Sequence, residues 1–357
     1  MKIIALDIGA GTEDVLLYEG GKPIENCVKM ILPSPSRVFA AKVREATEQR
    51  RELFIEGEII GGGAFTVALK GHMENGLRVL MTDNAAYTIR NDLDEVRQLG
   101  IKIVQSMSLP KNFRGEKLRI EEVNPSKLEV FLEEFNESLL DVDVVAVAVQ
   151  DHGVSPKGMS NRRFRLQKMK ELLENDLKPE NLAFREEEIP QCFLRMRSAV
   201  ESSKRQLPRA KVLVMDTSPA AILGCLKDPV VEEADPVLAV NVGNGHTMAA
   251  IISHREIIGI MEHHTRLLNP RRIKRLLVGF ADGMLSDEEV FKDGGHGLLF
   301  LKDSPGFSKI EKIAVTGPNR GILSETDLKV HFAAPAGDVM MTGPIGLVEA
   351  TREKFSI

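Results

Sequence analysis

The chain has 357 residues, 43% of them apolar and 28% charged, with a formal net charge of −5. Its length exceeds one ordinary core and its composition is that of a soluble globular protein, so two domains are expected and disorder is not. The mild negative charge argues against a nucleic-acid partner, although the basic run Asn161-Arg162-Arg163-Phe164-Arg165 offers cations to a small anion.

The N-terminus enters strand-like residues and reaches Asp7 too soon for a signal segment, and no stretch approaches eighteen uninterrupted apolar residues. A cytoplasmic protein with no membrane partner is expected. Apolar or alternating runs at 2–8, 14–18 and 27–32, separated by glycine turns, predict an antiparallel three-strand meander. Ser36 is placed to cap a helix over 37–51; residues 53–60 read as extended, and Gly61-Gly62-Gly63 leads into a helix through Lys70. A strand at 78–81, helices at 92–99 and 126–140, and a strand at 144–149 follow. That last run is apolar without alternation, the pattern of a strand buried on both faces.

Residues 106–125 and 153–190 read as insertions, the second opening with a Pro/Gly-bearing stretch before a basic helix. A helix over 189–206 is broken by Pro208, and a strand at 212–215 begins afresh. The domain boundary is therefore expected near 208, with one domain over 1–208 and the other over 209–357. A second meander (237–242, 247–253, 256–261) leads to a helix at 270–280, strands at 310–315 and 329–332, and a closing helix at 343–354. Cys27, Cys192 and Cys225 are scattered, lack CxxC spacing and read as reduced thiols.

Two stretches share one design: an apolar strand closed by Asp or Asn, then Gly-x-Gly and Thr before apolar alternation resumes. They are Ala5-Leu6-Asp7-Ile8-Gly9-Ala10-Gly11-Thr12 and Val240-Asn241-Val242-Gly243-Asn244-Gly245-His246-Thr247. Glycine allows a tight turn with outward N–H groups, which hold a phosphate without side chains. Two such turns imply one polyphosphate gripped from both sides.

A meander followed by alternating strand and helix, occurring twice, resembles the actin-like ATPase superfamily of actin, sugar kinases and heat-shock chaperone ATPases. The two stretches above resemble its phosphate loops. Ile313-Ala314-Val315-Thr316-Gly317-Pro318-Asn319 resembles its adenosine loop, Ser218-Pro219-Ala220-Ala221-Ile222 its small-residue helix, and the segment from Gly337 to Leu347 its last glycine-rich helix. The resemblance implies an α/β fold of two actin-like (ribonuclease H-like) domains with a nucleotide cleft between them, binding ATP and Mg²⁺. Gly61-Gly62-Gly63, Val149-Gln150-Asp151-His152-Gly153, Glu262-His263-His264-Thr265 and Asp293-Gly294-Gly295-His296-Gly297 further resemble a prokaryotic family of unknown function often labelled as related to pyruvate formate-lyase activating enzyme. A radical-SAM activase needs a CxxxCxxC run to hold its cluster, and this sequence has none.

The resemblance implies roles residue by residue. Asp7 would stand near the nucleotide-bound Mg²⁺, through water, since Mg²⁺ keeps several waters and takes few carboxylates. Gly9, Gly11, Thr12, Gly243, Gly245, His246 and Thr247 would meet phosphates, and Gly317 and Asn319 the adenosine. Asn241 stands where most relatives carry a second aspartate, and an amide supplies neither charge nor a base. Gln150 and Asp151 follow the last long strand of the first domain, where the superfamily keeps the group that orients water or takes a hydroxyl proton; an N-cap is the plainer role for Asp151.

Gly61, Gly62 and Gly63 present N–H groups at a helix N-terminus, suited to an anionic substrate group or merely to close strand–helix packing. Glu262, His263 and His264, with His152 and His296, are candidates for substrate contact; imidazoles beside a carboxylate also bind zinc or iron. Adjacent histidines on a strand point to opposite faces, so His263 and His264 share a metal only in an irregular turn. Arg162, Arg163 and Arg165 read as a solvated helix face. The expected function is an ATPase or small-molecule phosphotransferase of unknown acceptor. The alternatives are a nucleotide-dependent switch or accessory protein with a protein partner, such as a radical-enzyme activase, and a metalloprotein using His263, His264 and His296.

Overall fold

The computed structural model describes residues 1–105 and 113–357, so part of the irregular stretch expected at 106–125 lies outside the described residues. Strands β1 (Lys2–Ile8), β2 (Thr12–Glu19) and β3 (Val28–Pro33) form the predicted antiparallel meander. Next come β4 (Leu53–Gly57), β5 (Val79–Met81), β6 (Lys102–Ile103) and β7 (Glu116–Ile120), which pair with one another in parallel as a separate four-stranded sheet. Helices Pro35–Glu48 and Gly63–Glu74 contribute to that sheet's own core through Phe39, Val43 and Phe65. β4 and β5 stand where extended residues were expected; β6 was not expected, β7 lies in the stretch 106–125 expected to be an irregular insertion, and a third sheet was not expected.

The chain then returns to the first sheet with β8 (Val144–Val149), β9 (Ala183–Arg185) and β10 (Lys211–Met215), giving the order β3-β2-β1-β8-β10-β9. Both β1 and β10 run parallel to β8, whose six residues are all buried. A second six-stranded sheet is built from β11 (Val237–Val242), β12 (His246–Ser253), β13 (Glu256–His264), β14 (Gly297–Phe300), β15 (Lys312–Thr316) and β16 (Val330–Phe332), in the order β14-β13-β12-β11-β15-β16. In each large sheet an antiparallel meander has its first strand flanked by later parallel strands. This repeated wiring is the actin-like, two-domain α/β fold.

Helices Thr217–Cys225 and Thr342–Phe355 join the two sheets through one core, to which Ala146, Leu213, Ala220, Leu223, Ala239 and Leu347 belong. They cross at backbone distance: a Cβ on Gly224 would overlap the Thr342 carbonyl, and one on Gly346 the Ala220 carbonyl. On the outer faces, helix Leu194–Gln206 covers the first sheet with Met196 and Ala199, and helix Pro270–Ala281 covers the second with Ile273, Leu277 and Phe280. No helix among the described residues is long and apolar enough to cross a membrane.

Several local expectations are corrected. Ser34, not Ser36, precedes helix Pro35–Glu48; Ser36 is buried in the first turn, donating to Gly62 O and accepting from Phe65 N. The helix expected over 126–140 ends at Glu133, after which Asn136 adopts a left-handed φ of 58° and Glu129 captures the Ser138 hydroxyl. The helix expected from 189 starts at Leu194, because Pro190 disfavours helical geometry at Ile189. The arginine run is not a solvated face. From helix Asn161–Leu173, Arg162 donates to Gly295 O and stacks on Phe291, Arg163 pairs with Glu288, and Arg165 is fully buried.

Candidate functional site

The two glycine turns meet across a cleft of about 670 Å³ between the large sheets, lined by Asp7, Gly9, Gln150, His152, Gly243 and Gly317 among others. Both turns close with the same hydrogen bond, Gly9 N to Thr12 O at 2.9 Å and Gly243 N to His246 O at 3.0 Å. Asn244 of the second turn packs on Gly11 of the first so tightly that a Cβ on Gly11 would collide with its amide. Asp7 and Asn241 hold equivalent places, each one residue before the end of its strand and facing Asp14 on β2 and Met248 on β12 respectively.

Asp7 is raised well above the usual carboxylate range by burial, reinforced by Asp14 and Asp216. Burial pushes Asp14 up to about 7, with the Thr12 hydroxyl 3.4 Å away pulling it down and Asp338 pushing it up. One buried oxygen on each, Oδ1, has no hydrogen-bond partner. Two register-paired carboxylates with orphan oxygens call for either protons or a cation. Glycine is required where the last helix meets them, since a Cβ on Gly343 would overlap the Asp7 carboxylate.

Other expected residues take supporting positions. Asn319 donates from its backbone N to Val242 O and from Nδ2 to Gly243 O, each at 3.0 Å, tying the adenosine-like loop to the second turn. Gly317 has a φ of 93°, and any Cβ there would meet the Val242 carbonyl. The buried Thr247 hydroxyl pairs with that of Thr265 at 3.0 Å, and Thr265 donates to Gly243 O at 2.9 Å. Thr247 thus braces the turn from behind. Gly11, Thr247, Glu262, His263 and Asn319 are not among the residues lining the cleft, whereas Thr12, Gly245, His246, His264 and His296 are.

Gly61, Gly62 and Gly63 line the far wall. The Gly61 N–H is already committed, donating to Glu122 Oε2 at 2.7 Å, and Glu122 Oε1 pairs with Arg195 Nη2 at 2.5 Å. Arg195 also donates to Gln150 O at 2.9 Å. Asp151 is buried and accepts three backbone N–H groups, from Gly153 at 2.9 Å, Arg195 at 2.8 Å and Met196 at 3.2 Å. Those bonds hold the start of helix Leu194–Gln206. The Gln150 side chain lines the cleft and reaches Glu262 Oε1 at 3.4 Å.

Behind Gln150 lies a buried ion network. Arg165 donates to Asp216 at 2.5 and 2.8 Å and to Glu262 at 2.7 and 3.2 Å. Burial acts to raise Glu262, but Arg165 and His296 hold it well below the carboxylate range. Around Glu262 gather His152, His246, His264 and His296, with the His246 ring centroid 4.8 Å from those of both His264 and His296. Burial, chiefly, lowers His152 well below the usual imidazole value, His246 to about 3 and His264 to about 4. His263 faces away, with Nε2 3.2 Å from Asp293 O.

Sequence reading missed Arg165, Asp216, Glu122, Arg195 and Asp14. Arg165 carried a signal, since it stands with Met169 and Leu173 at i, i+4 and i+8 on the buried stripe of its helix. Glu122 and Arg195 carried none, because they converge from elements distant in sequence.

Residues 60–322 match the family model described as "Putative pyruvate format-lyase activating enzyme (DUF1786)". No curated protein sequence matches the chain. Among solved structures it is similar to the "putative N-acetylmannosamine kinase" from Listeria monocytogenes, at 12% identity and a TM-score of 0.38 over 99% of this chain and 100% of that one. It is similar to a "PilM-PilN type IV pilus biogenesis complex" chain at 12% identity and a TM-score of 0.42, covering 99% and 98%. An exopolyphosphatase from Cytophaga hutchinsonii is similar at 11% identity and a TM-score of 0.31, covering 89% of this chain and 67% of that one.

Proposed function

The chain belongs to the DUF1786 family, and we propose that it binds ATP with Mg²⁺ between its two halves and acts as an ATPase or a phosphotransferase on a small acceptor. The reading rests on one observation above all: two glycine turns with the same closing hydrogen bond, contributed by opposite sheets, face one cleft beside two carboxylates that each keep one oxygen without a partner. The turns through Gly9, Gly11, Gly243 and Gly245, closed by the Gly9 and Gly243 N–H groups, and the Thr12 hydroxyl serve the phosphates, with His246 beside them and Thr247 bracing. Asp7, through water, and Asp14 hold the metal, whose charge offsets the phosphates and the buried carboxylates. Gly317 and Asn319 shape the adenosine side.

Gln150 is the group that orients the attacking water or acceptor hydroxyl, and Asp151 sets its position. The acceptor occupies the wall formed by Gly61, Gly62, Gly63, His152, His264 and His296, with Glu262 and His263 behind it. The halves built on the two large sheets act as the two jaws, the first continuing past the boundary expected near 208 to include β10. No radical-SAM role is proposed, because Cys27, Cys192 and Cys225 form no CxxxCxxC run.

A second reading is favoured by Asn241 in the place of an aspartate and by the three N–H groups on Asp151, which leave it a poor base. On that reading the protein is a nucleotide-dependent switch with a protein partner. A thermal-shift screen of nucleotides with and without Mg²⁺ tests binding, because a ligand of the native state raises the melting temperature by mass action. ADP release across a metabolite panel then separates the readings. No shift with any nucleotide overturns both; a shift without turnover leaves the switch.

A further inference from the structure

Three of the clustered histidines converge from separate places. His152 follows β8, His246 opens β12, and His296 precedes β14. One nitrogen from each lies within 4.8 Å of the other two. His296 is wholly buried and neither of its ring nitrogens has a hydrogen-bond partner; His246 Nε2 is likewise buried and unpartnered. Burying several imidazole nitrogens with nothing to bond is costly unless something occupies the space between them.

We propose that His152, His246 and His296 form a binding site for a divalent transition metal of the zinc class, with its fourth coordination position open to the cleft. Three imidazoles and one exchangeable ligand are the donor set of such sites. With metal–nitrogen bonds of about 2.0–2.1 Å, tetrahedral ligands stand roughly 3.3 Å apart, so small side-chain rotations close the present spacing.

A second shell is already in place. His296 Nδ1 lies 2.9 Å from Glu262 Oε2, off the line of a hydrogen bond, so a carboxylate stands beside this ring. A carboxylate behind a ligating histidine fixes its tautomer and raises its basicity. Glu262 is anchored by Arg165, which also holds Asp216. Two carboxylates against one guanidinium leave one uncompensated negative charge behind the rings, and a cation is accommodated there. His264 and Gln150 flank the open side, so the fourth position takes water or an oxygen of a carboxylate- or phosphate-bearing acceptor.

The site differs from the one with His263, His264 and His296 that the sequence brings to mind, because His263 faces Asp293 on the other side of β13. It is also independent of the nucleotide, and its test uses nucleotide-free protein. Full-length protein purified without chelator is dialysed against Zn²⁺ at micromolar concentration and its metal content measured, with Co²⁺ substitution read by visible absorption. One tightly bound equivalent and the intense visible bands of tetrahedral Co²⁺ are expected. His246→Ala and His296→Ala should weaken binding at least tenfold, while His254→Ala, on an exposed hairpin turn, should leave it unchanged. Less than a tenth of an equivalent on folded wild-type protein, or a Co²⁺ spectrum of octahedral oxygen ligation, overturns the proposal. So does full stoichiometry in natively folded His246→Ala and His296→Ala. Should those variants fail to fold, the wild-type stoichiometry and spectrum decide alone.

Discussion

Arg165, on the helix that follows β8, forms a two-pronged ion pair with Asp216, the residue that caps helix Thr217–Cys225 by accepting from Ser218 N at 3.1 Å. The pair is buried, with 2% and 5% of the two side chains exposed, and the same guanidinium reaches across to Glu262 on the second sheet. Removing one partner of such a network leaves an uncompensated charge in the interior, at a cost of about 3–5 kcal/mol. Arg165→Met should therefore lower the melting temperature by on the order of 10 °C. Arg162→Met on the same helix, whose contacts are partly exposed, should lower it far less. Equal melting temperatures for the two variants would show that the network is not a structural keystone.

The last helix meets its surroundings through glycines with different tasks. A side chain on Gly346 runs into the Ala220 carbonyl of the neighbouring helix, whereas one on Gly343 runs into the Asp7 carboxylate. Overpacking against a rigid backbone costs about 1–3 kcal/mol. Gly346→Ala should thus reduce stability while sparing nucleotide affinity in whatever protein remains folded. Gly343→Ala displaces the carboxylate proposed to serve Mg²⁺, and should weaken Mg²⁺-dependent nucleotide binding about tenfold with a smaller loss of stability. Calorimetry beside thermal melts reads the contrast, and identical behaviour of the two variants would refute it.

Acid should loosen the junction between the turn after helix Thr217–Cys225 and the end of β16, where Asp228 meets His331 and the Ala334 N–H. Burial acts to raise Asp228, but the Ala334 N–H, His331 and the Val230 N–H outweigh it and hold the carboxyl below its usual range. A carboxylate depressed in the folded state contributes stability that is full above its unfolded value and is lost as pH falls through the folded one. The melting temperature should accordingly fall between about pH 5 and pH 2, and Asp228→Asn should have a lower plateau and a shallower fall. A variant curve parallel to the wild type would remove Asp228 from the acid transition.

What could be read beforehand was whatever the chain writes locally. β8 announces itself as Val-Val-Ala-Val-Ala-Val, and both glycine turns follow an apolar strand, so two halves and a shared cleft were legible. Alternation does not say which strands pair, and β4 to β7, all short and two of them charged, gave no sign that they leave the first sheet to form their own. Arg165 shows the limit for the site. In sequence it stands in a run of arginines that reads as a solvated face, and only the carboxylates of Asp216 and Glu262, from two other segments, make its burial tolerable. The histidines are a similar case, since their meeting depends on the pairing of His246 with His264 across β12 and β13.

Gln150 and Asp151 are neighbours with separable tasks, and this gives the sharpest test of the proposed chemistry. Asp151 accepts backbone N–H groups from Gly153, Arg195 and Met196, so its carboxylate organises the loop and the start of helix Leu194–Gln206. Losing a cap of this kind costs about 1–2 kcal/mol. Asp151→Ala should therefore lower stability measurably and reduce turnover through misplacement of Gln150, with Asp151→Asn recovering part of the stability because its amide oxygen still accepts. The Gln150 side chain makes only a 3.4 Å contact with Glu262 and faces the cleft, so Gln150→Ala should leave the melting temperature within about 1 °C of wild type. If Gln150 orients the attacking group, that same variant should lose at least tenfold in kcat with little change in KM for ATP, since only an interaction made in the transition state is removed. A Gln150→Ala protein with undiminished kcat would move the chemistry away from this loop, and a destabilised one would make Gln150 a structural residue.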